Sequence, residues 1–193
     1  LGHSSPKLFD AISNTSINKV DTFNSQNLAN TVWAYASEGY SSPRLFNAIS
    51  DTAVNKIETF DSQNIANTVW AYASVGYLSS NLFDAISYTA MGKLDSFTSQ
   101  EIENTVWAYA SVGLENYDFF EAVSETAISK IQTFNAQNLS NTVWAFAKAG
   151  HKSDDLFEAV SEAAAISKID QQSAKLKRLM HKIFLTQFGH MHQ

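Results

Sequence analysis

A pair of amide side chains recurs four times in this chain, at a constant interval of 37 residues. The pairs are Gln26 and Asn30, Gln63 and Asn67, Gln100 and Asn104, and Gln137 and Asn141. An amide both donates and accepts hydrogen bonds, which suits it to the base edges of single-stranded RNA. One such set per repeat favours modular reading of about one base per unit. Identical amides can equally bond the backbone of a neighbouring unit, and that structural role stays open.

The position that follows each glutamine differs between the repeats. Its residues are Asn27, Asn64, Glu101 and Asn138. Residues that are identical in every repeat cannot discriminate between bases. We therefore predict that this variable position would decide which RNA is preferred.

Lysine also recurs once per repeat. The positions are Lys19, Lys56, Lys93 and Lys130, with Lys168 at the same place in the last predicted helix of the array. In stacked helices these lysines could form a ladder that contacts phosphates. The alternative is that each lysine lies in the last turn of its own helix and complements the helix dipole.

Residue patterns typical of catalysis are missing from the sequence. There is no G-x-S-x-G motif, no glycine-rich phosphate loop and no H-E-x-x-H motif. There is also no cysteine, which excludes disulfides and thiolate chemistry. We therefore expect a protein that is not an enzyme and has neither a cofactor nor a metal site.

The elements that would position these residues can be read from the repeat Ser42–Ser79. Ser42 and Pro43 predict the start of a helix, and an apolar stripe at helical spacing predicts that this helix continues to about Phe60. Asp61 predicts the start of a second helix, which ends at Gly76. Each unit is thus two antiparallel helices, and since neither helix can bury its stripe alone, the units must stack.

Tryptophan marks the second helix of every unit. Trp33, Trp70, Trp107 and Trp144 are the four tryptophans of the chain, and they follow one another at the same interval of 37 residues. We predict that they are core residues packed between neighbouring repeats.

The repeat register divides the whole chain. We predict the end of a preceding repeat at 1–3, full repeats at 4–40, 41–77, 78–114 and 115–151, a half repeat at 152–170, and a basic amphipathic cap at 171–193. This register indicates that the array continues upstream. The cap would cover the last exposed interface; the alternative is a helix that binds a membrane surface or a partner.

The repeated phrase resembles a known family. FNSQNLANTVWAYASEG (Phe23–Gly39), with Gln-x-Leu/Ile-x-Asn-Thr-x-Trp-Ala in each copy, resembles the octotricopeptide and heptatricopeptide repeats. The resemblance extends from Ser5 to about Ile169. It implies an all-α, right-handed α-solenoid that binds single-stranded RNA sequence-specifically in mitochondria or chloroplasts. There it would act in RNA metabolism or ribosome assembly, without catalysis in the repeats.

The charge distribution favours a second function. The net charge is −6, and because residues 171–193 contribute +4, the other residues carry −10. An acidic body is a poor electrostatic match to a polyanion. The alternative function is therefore a protein–protein scaffold that uses the same concave surface, where the tryptophan and asparagine ladders could hold an extended peptide backbone. Partners could also bind through the acidic face of the first helices or the basic C-terminal helix. No targeting peptide or membrane-spanning run is visible, so we expect no membrane insertion.

Overall fold

The computed structural model describes residues 6–166 and Lys168, and the regular secondary structure of this part of the chain is all helical, with no strands. Its helices are α1 (Pro6–Lys19), α2 (Ser25–Ser37), α3 (Pro43–Asn55), α4 (Ser62–Ser74), α5 (Ser80–Met91), α6 (Ser99–Val112), α7 (Tyr117–Ser129), α8 (Ala136–Lys148) and α9 (154–166). The all-α solenoid is confirmed. Its right-handed sense stays a prediction. The segment 1–3 and the cap at 171–193 lie outside the described residues.

The helices form two layers. Odd-numbered helices pack beside odd-numbered helices, and even-numbered helices beside even-numbered ones. Packing is most extensive in the even layer, where α4 lies between α2 and α6, and α6 lies between α4 and α8. The buried face of α4, formed by Ile65, Ala66 and Val69, is the one that its apolar spacing predicts.

The first helix of each unit ends earlier than its apolar stripe predicts. In the second unit, α3 stops at Asn55, and one 3₁₀ turn covers Ile57–Thr59. Phe60 has extended backbone and is only 1% exposed. The prediction of a helix to Phe60 is therefore wrong in its last turn, because Phe60 reaches the core from the connection between the two helices.

Both ends of the second helix follow the sequence signals. The carboxylate of Asp61 accepts a hydrogen bond from the backbone N–H of Asn64 (2.8 Å), which caps the start of α4. At the end of the helix, Gly76 has a φ of 67°, and the N–H of Tyr77 donates to the carbonyl of Tyr72 (2.9 Å). This is the Schellman arrangement, which glycine adopts without the steric cost of a side chain.

A buried tyrosine joins the two helices within a unit. The Tyr72 hydroxyl donates to the carbonyl of Phe46 at 2.6 Å, and the Tyr109 hydroxyl donates to that of Phe83 at 2.5 Å. Burial raises the pKa of each of these two hydroxyls well above the ordinary value for tyrosine. This hydrogen bond therefore links the two helices of one unit to each other.

Hydroxyl groups connect the odd-numbered helices of successive units. The hydroxyl oxygens of Ser13 and Ser42 lie 2.7 Å apart, and those of Ser50 and Ser79 lie 2.6 Å apart. Ser42 occupies the N-cap position of α3, but its side chain makes no capping bond to its own helix. It is instead hydrogen-bonded to the preceding unit.

The lysine row forms the second connection between units. The Lys93 ammonium donates to the carbonyls of Glu58 (2.9 Å) and Phe60 (2.7 Å), which belong to the turn that ends the first helix of the preceding unit. Lys56 bonds the corresponding carbonyls of Asp21 and Phe23, both at 2.7 Å. We call this contact the lysine clamp.

The third clamp has one more bond. The Lys130 ammonium donates to the carbonyls of Asp95 (2.6 Å), Phe97 (2.7 Å) and Leu94 (3.3 Å). Neither sequence interpretation of Lys56, Lys93 and Lys130 is correct. Their ammonium groups face neither a phosphate path nor their own helix end, because the carbonyls that need donors lie in the preceding unit. Lys19 and Lys168 are exposed.

We predict that Lys93→Met lowers the free energy of unfolding by about 1.5–3 kcal/mol, the range for hydrogen bonds that involve a charged group. The matched control is Lys19→Met, at the same place in α1, where the ammonium bonds no preceding unit within the described residues. That change should cost less than about 1 kcal/mol, the value of an exposed dipole contact. Equal losses in urea unfolding would show that the lysines act on their own helices.

Candidate functional site

The even-numbered helices present one polar stripe to solvent. In α4 the stripe consists of Gln63, Asn67, Trp70 and Ser74, at intervals of four, three and four residues. Gln63 and Ser74 are exposed, and Asn67 and Trp70 are half-buried. Because α2, α4, α6 and α8 pack side by side, their stripes lie next to one another. We call this surface the amide–indole face.

The amides of this face differ in their hydrogen bonding. Among the described residues, the side chains of Asn30, Asn67 and Asn104 form no hydrogen bond, although Asn67 and Asn104 are half-buried. Asn141 does form one, from its Nδ2 to Glu103 Oε1 at 2.7 Å. Asn141 thus bonds a side chain of the neighbouring unit, and the predicted bond to a neighbouring backbone is not seen at these four positions among the described residues. The other three keep their amide groups available to a ligand.

Two of the four tryptophans, Trp33 and Trp144, are exposed, so the prediction that they are core residues is wrong for these two. The exposed fraction of Trp33 is 46% and that of Trp144 is 45%. Trp70 and Trp107 are half-buried against the edge of the core. The reason is that the aromatic residue two positions later fills the interior: Tyr35, Tyr72, Tyr109 and Phe146 are all at most 2% exposed. The indoles thus line the surface.

The variable position after each glutamine has a local role that the sequence analysis did not predict. Asn27, Glu101 and Asn138 each complete a capping box, in which the side chain accepts a hydrogen bond from the N-cap residue's backbone N–H. Asn64 and Asn138 are buried, 7% and 5% exposed. At Asn64 only the backbone N–H takes part in capping, as the donor to Asp61. Three of the four predicted base-discriminating side chains therefore cap the start of their own helices.

A polar groove of about 270 Å³ opens on the amide–indole face between the third and fourth units. It is lined by Trp70, Gln100, Glu103, Asn104, Trp107, Asn135, Gln137, Asn138 and Asn141. These residues include two indoles, six side-chain amides and one carboxylate, and none of them is basic. The groove can therefore stack a flat or apolar group and exchange hydrogen bonds with it, but it offers no cation to a phosphate.

Glu103 is a buried residue of this groove that the sequence analysis did not single out. Its side chain is 6% exposed and accepts hydrogen bonds from Asn141 Nδ2 (2.7 Å, to Oε1) and Asn138 Nδ2 (3.3 Å, to Oε2). A signal was present in the sequence, because the equivalent positions hold Ala29, Ala66 and Ser140. A carboxylate where the other repeats place a small side chain indicates a local role.

The odd-numbered helices carry the acidic face. Its ten carboxylates are all exposed: Asp10, Asp21, Asp51, Glu58, Asp84, Asp95, Glu121, Glu125, Glu158 and Glu162. Glu121 lies 3.1 Å from Nε2 of the buried His151, and Asp10 accepts a hydrogen bond from the Tyr40 hydroxyl at 2.6 Å. The acidic face and the amide–indole face belong to different layers. In the described part of the chain, no helix is long and apolar enough to cross a membrane.

We predict that Trp144→Ala lowers the free energy of unfolding by less than about 1.5 kcal/mol, since nearly half of this side chain already contacts water. Phe146→Ala, two residues away in the same helix, removes a fully buried ring and should cost about 3–5 kcal/mol. Chemical denaturation of the two variants measures the difference. Equal losses of unfolding free energy would show that the Trp144 indole is a core residue.

Comparison with known proteins places the chain in a family. The family model of the RNA-editing substrate-binding complex 6 protein matches residues 1–192, so the chain belongs to this helical, RNA-related family. No curated protein matches it. The octotricopeptide and heptatricopeptide resemblance stays a prediction.

Proposed function

We propose that this member of the RNA-editing substrate-binding complex 6 family is a non-catalytic scaffold subunit of an RNA-editing substrate-binding complex. Its amide–indole face would hold an extended segment of another protein subunit. The observation that carries the proposal is the row of available amides and half-exposed indoles, which has no basic residue in its groove.

The chemistry of the face suits an extended polypeptide. Such a segment has backbone N–H and C=O groups without partners, and a side-chain amide can bond both. Stacked helices lie about 8–10 Å apart, and an extended strand rises about 3.3 Å per residue. Each unit therefore matches about three residues of the segment. The indoles would cover the side chains between the bonded backbone groups.

The charges support a neutral or basic segment. Three of the repeated lysines, Lys56, Lys93 and Lys130, direct their ammonium groups to backbone carbonyls within the array. Their positive charge is held inside the unit–unit contacts rather than on the amide–indole face. An acidic protein attracts basic partners and repels polyanions over distances up to about 8–10 Å at moderate salt.

Family membership supports a place in an assembly that handles RNA. RNA-editing complexes are typically mitochondrial, which supports the organellar location predicted from the sequence. A scaffold that positions other subunits needs no catalytic group of its own, in agreement with the sequence analysis.

A second candidate function is direct, sequence-specific binding of single-stranded RNA on the same face. It is favoured by the family description and by the indole row, since stacking of one base on an aromatic side chain contributes about 1–3 kcal/mol. Bases would then lie against Trp70 and Trp107, and the phosphates would face away from the groove. The lysine ladder that the sequence analysis predicted for the phosphates takes no part.

We predict that the double variant Trp70→Ala/Trp107→Ala retains at least about tenfold less of its partner subunit than the wild-type protein does. The reason is that truncation of a buried interface aromatic often costs about 2 kcal/mol or more of binding free energy. The matched control, Tyr88→Ala/Tyr117→Ala, removes two aromatics of the odd-numbered helices that are 76% and 71% exposed. Tagged full-length variants are purified from organelles, and the retained subunits are quantified by mass spectrometry.

The same purification is repeated after RNase treatment. The proposal expects the wild-type protein and the tyrosine control to keep the partner after RNase, while the tryptophan variant lacks it before and after. Loss of the wild-type association on RNase treatment would favour the RNA candidate. Full retention by the tryptophan variant would exclude this face as the binding surface.

A further inference from the structure

We propose that the groove around Glu103 receives one arginine side chain of the bound protein segment. This inference rests on the proposed function and names the chemistry of one position within it. Glu103 would pair with the guanidinium group, and Trp70 and Trp107 would flank it.

The pairing of Glu103 within the chain is incomplete. A carboxylate has room for about four hydrogen bonds, and Glu103 accepts two, both from neutral amides. Among the described residues, the one contact between a basic and an acidic side chain joins His151 and Glu121, so no basic side chain pairs with Glu103. A buried charge is costly unless it is paired. A cationic ligand would therefore satisfy the remaining hydrogen bonds and the charge of Glu103 better than a neutral ligand would.

The walls of the groove favour a flat cation. Indole faces attract cations more strongly than other aromatic side chains do, and the attraction grows when the cation leaves water. A guanidinium group stacks on such faces and presents parallel N–H groups that fit a carboxylate bidentately, whereas an ammonium group is a strongly hydrated point charge. The methylene stem of arginine can lie along the indoles.

Glu103 distinguishes one unit from the others, which the repeated amides and indoles do not. The amides and indoles are nearly the same in every unit, so an extended segment could bind in several registers shifted by one unit. Glu103 stands alone at its repeat position, where the other units have Ala29, Ala66 and Ser140. One arginine that fits one unit would fix the register, as a single polar residue fixes the register of a coiled coil.

The direct test is an NMR titration of the full chain with two blocked amino acids, N-acetyl-arginine methylamide and N-acetyl-citrulline methylamide. Citrulline has the same shape as arginine but no charge. The four indole N–H signals report on the four units, because each unit contains one tryptophan. We expect the arginine probe to shift the signals of Trp70 and Trp107 and to leave those of Trp33 and Trp144 unchanged. The citrulline probe should bind at least tenfold more weakly.

Two variants separate the site from the fold. Glu103→Ala introduces the residue that the first two units already have at this position, so the fold should be kept. The arginine and citrulline probes should then bind this variant about equally well. Ala29→Glu, added to that variant, places a carboxylate opposite Asn64 and Asn67, the equivalents of Asn138 and Asn141. The preference for arginine should then return, reported by Trp33, the equivalent of Trp107.

Three results would overturn the inference. They are equal binding of both probes by the wild-type chain, an arginine preference that survives Glu103→Ala, and shifts of Trp70 and Trp107 caused by a single-stranded RNA oligonucleotide but by neither probe. Failure here is distinct from failure of the proposed function. If the wild-type chain binds both probes equally while Trp70→Ala/Trp107→Ala still loses the partner subunit, the scaffold function is supported and the arginine site is rejected.

Discussion

A lysine ammonium bonded to the backbone carbonyls of the preceding unit is the contact on which the arrangement of the array depends. The last carbonyls of a helix have no partner within it. Here the turn that follows each first helix offers two or three such carbonyls, and Lys56, Lys93 and Lys130 each bond them from the next unit. The donor and its acceptors are 33–36 residues apart, so each clamp joins one unit to the next at the end of its first helix.

This use of the lysines has an electrostatic consequence. The repeated cations lie inside the unit–unit contacts, while the carboxylates of the odd-numbered helices are exposed. The even-numbered helices are left with a face of amides and indoles, to which Glu103 adds one buried carboxylate and Lys148, at the end of α8, adds one exposed ammonium group. A surface of this composition suits a polypeptide with a basic residue better than a phosphate backbone. Stability and ligand chemistry are therefore connected, because ammonium groups that bond the carbonyls of the preceding unit are not offered to the phosphates of a ligand.

The local signals in the sequence predicted most of the fold. Asp61 and Gly76 mark the ends of α4 as expected, because capping depends on residues close in the chain. Trp33 and Trp144 were wrongly expected in the core, since helical periodicity puts each tryptophan at the edge of the apolar stripe and cannot say whether it or the aromatic residue two positions later fills the space between helices. The lysine clamp joins residues more than thirty positions apart, which helical periodicity does not describe. Glu103 was visible only as a break in the repeat, and its burial depends on how α6 packs against α8.

We propose that the amide–indole face holds a protein segment whose register is fixed at Glu103. A cryo-electron microscopy structure of the native complex that contains this protein would show the occupant of this face. We expect continuous polypeptide density from another subunit along α2, α4, α6 and α8, with an arginine side chain between Trp70 and Trp107. Nucleotide density stacked on the indoles, or a face open to solvent, would contradict it.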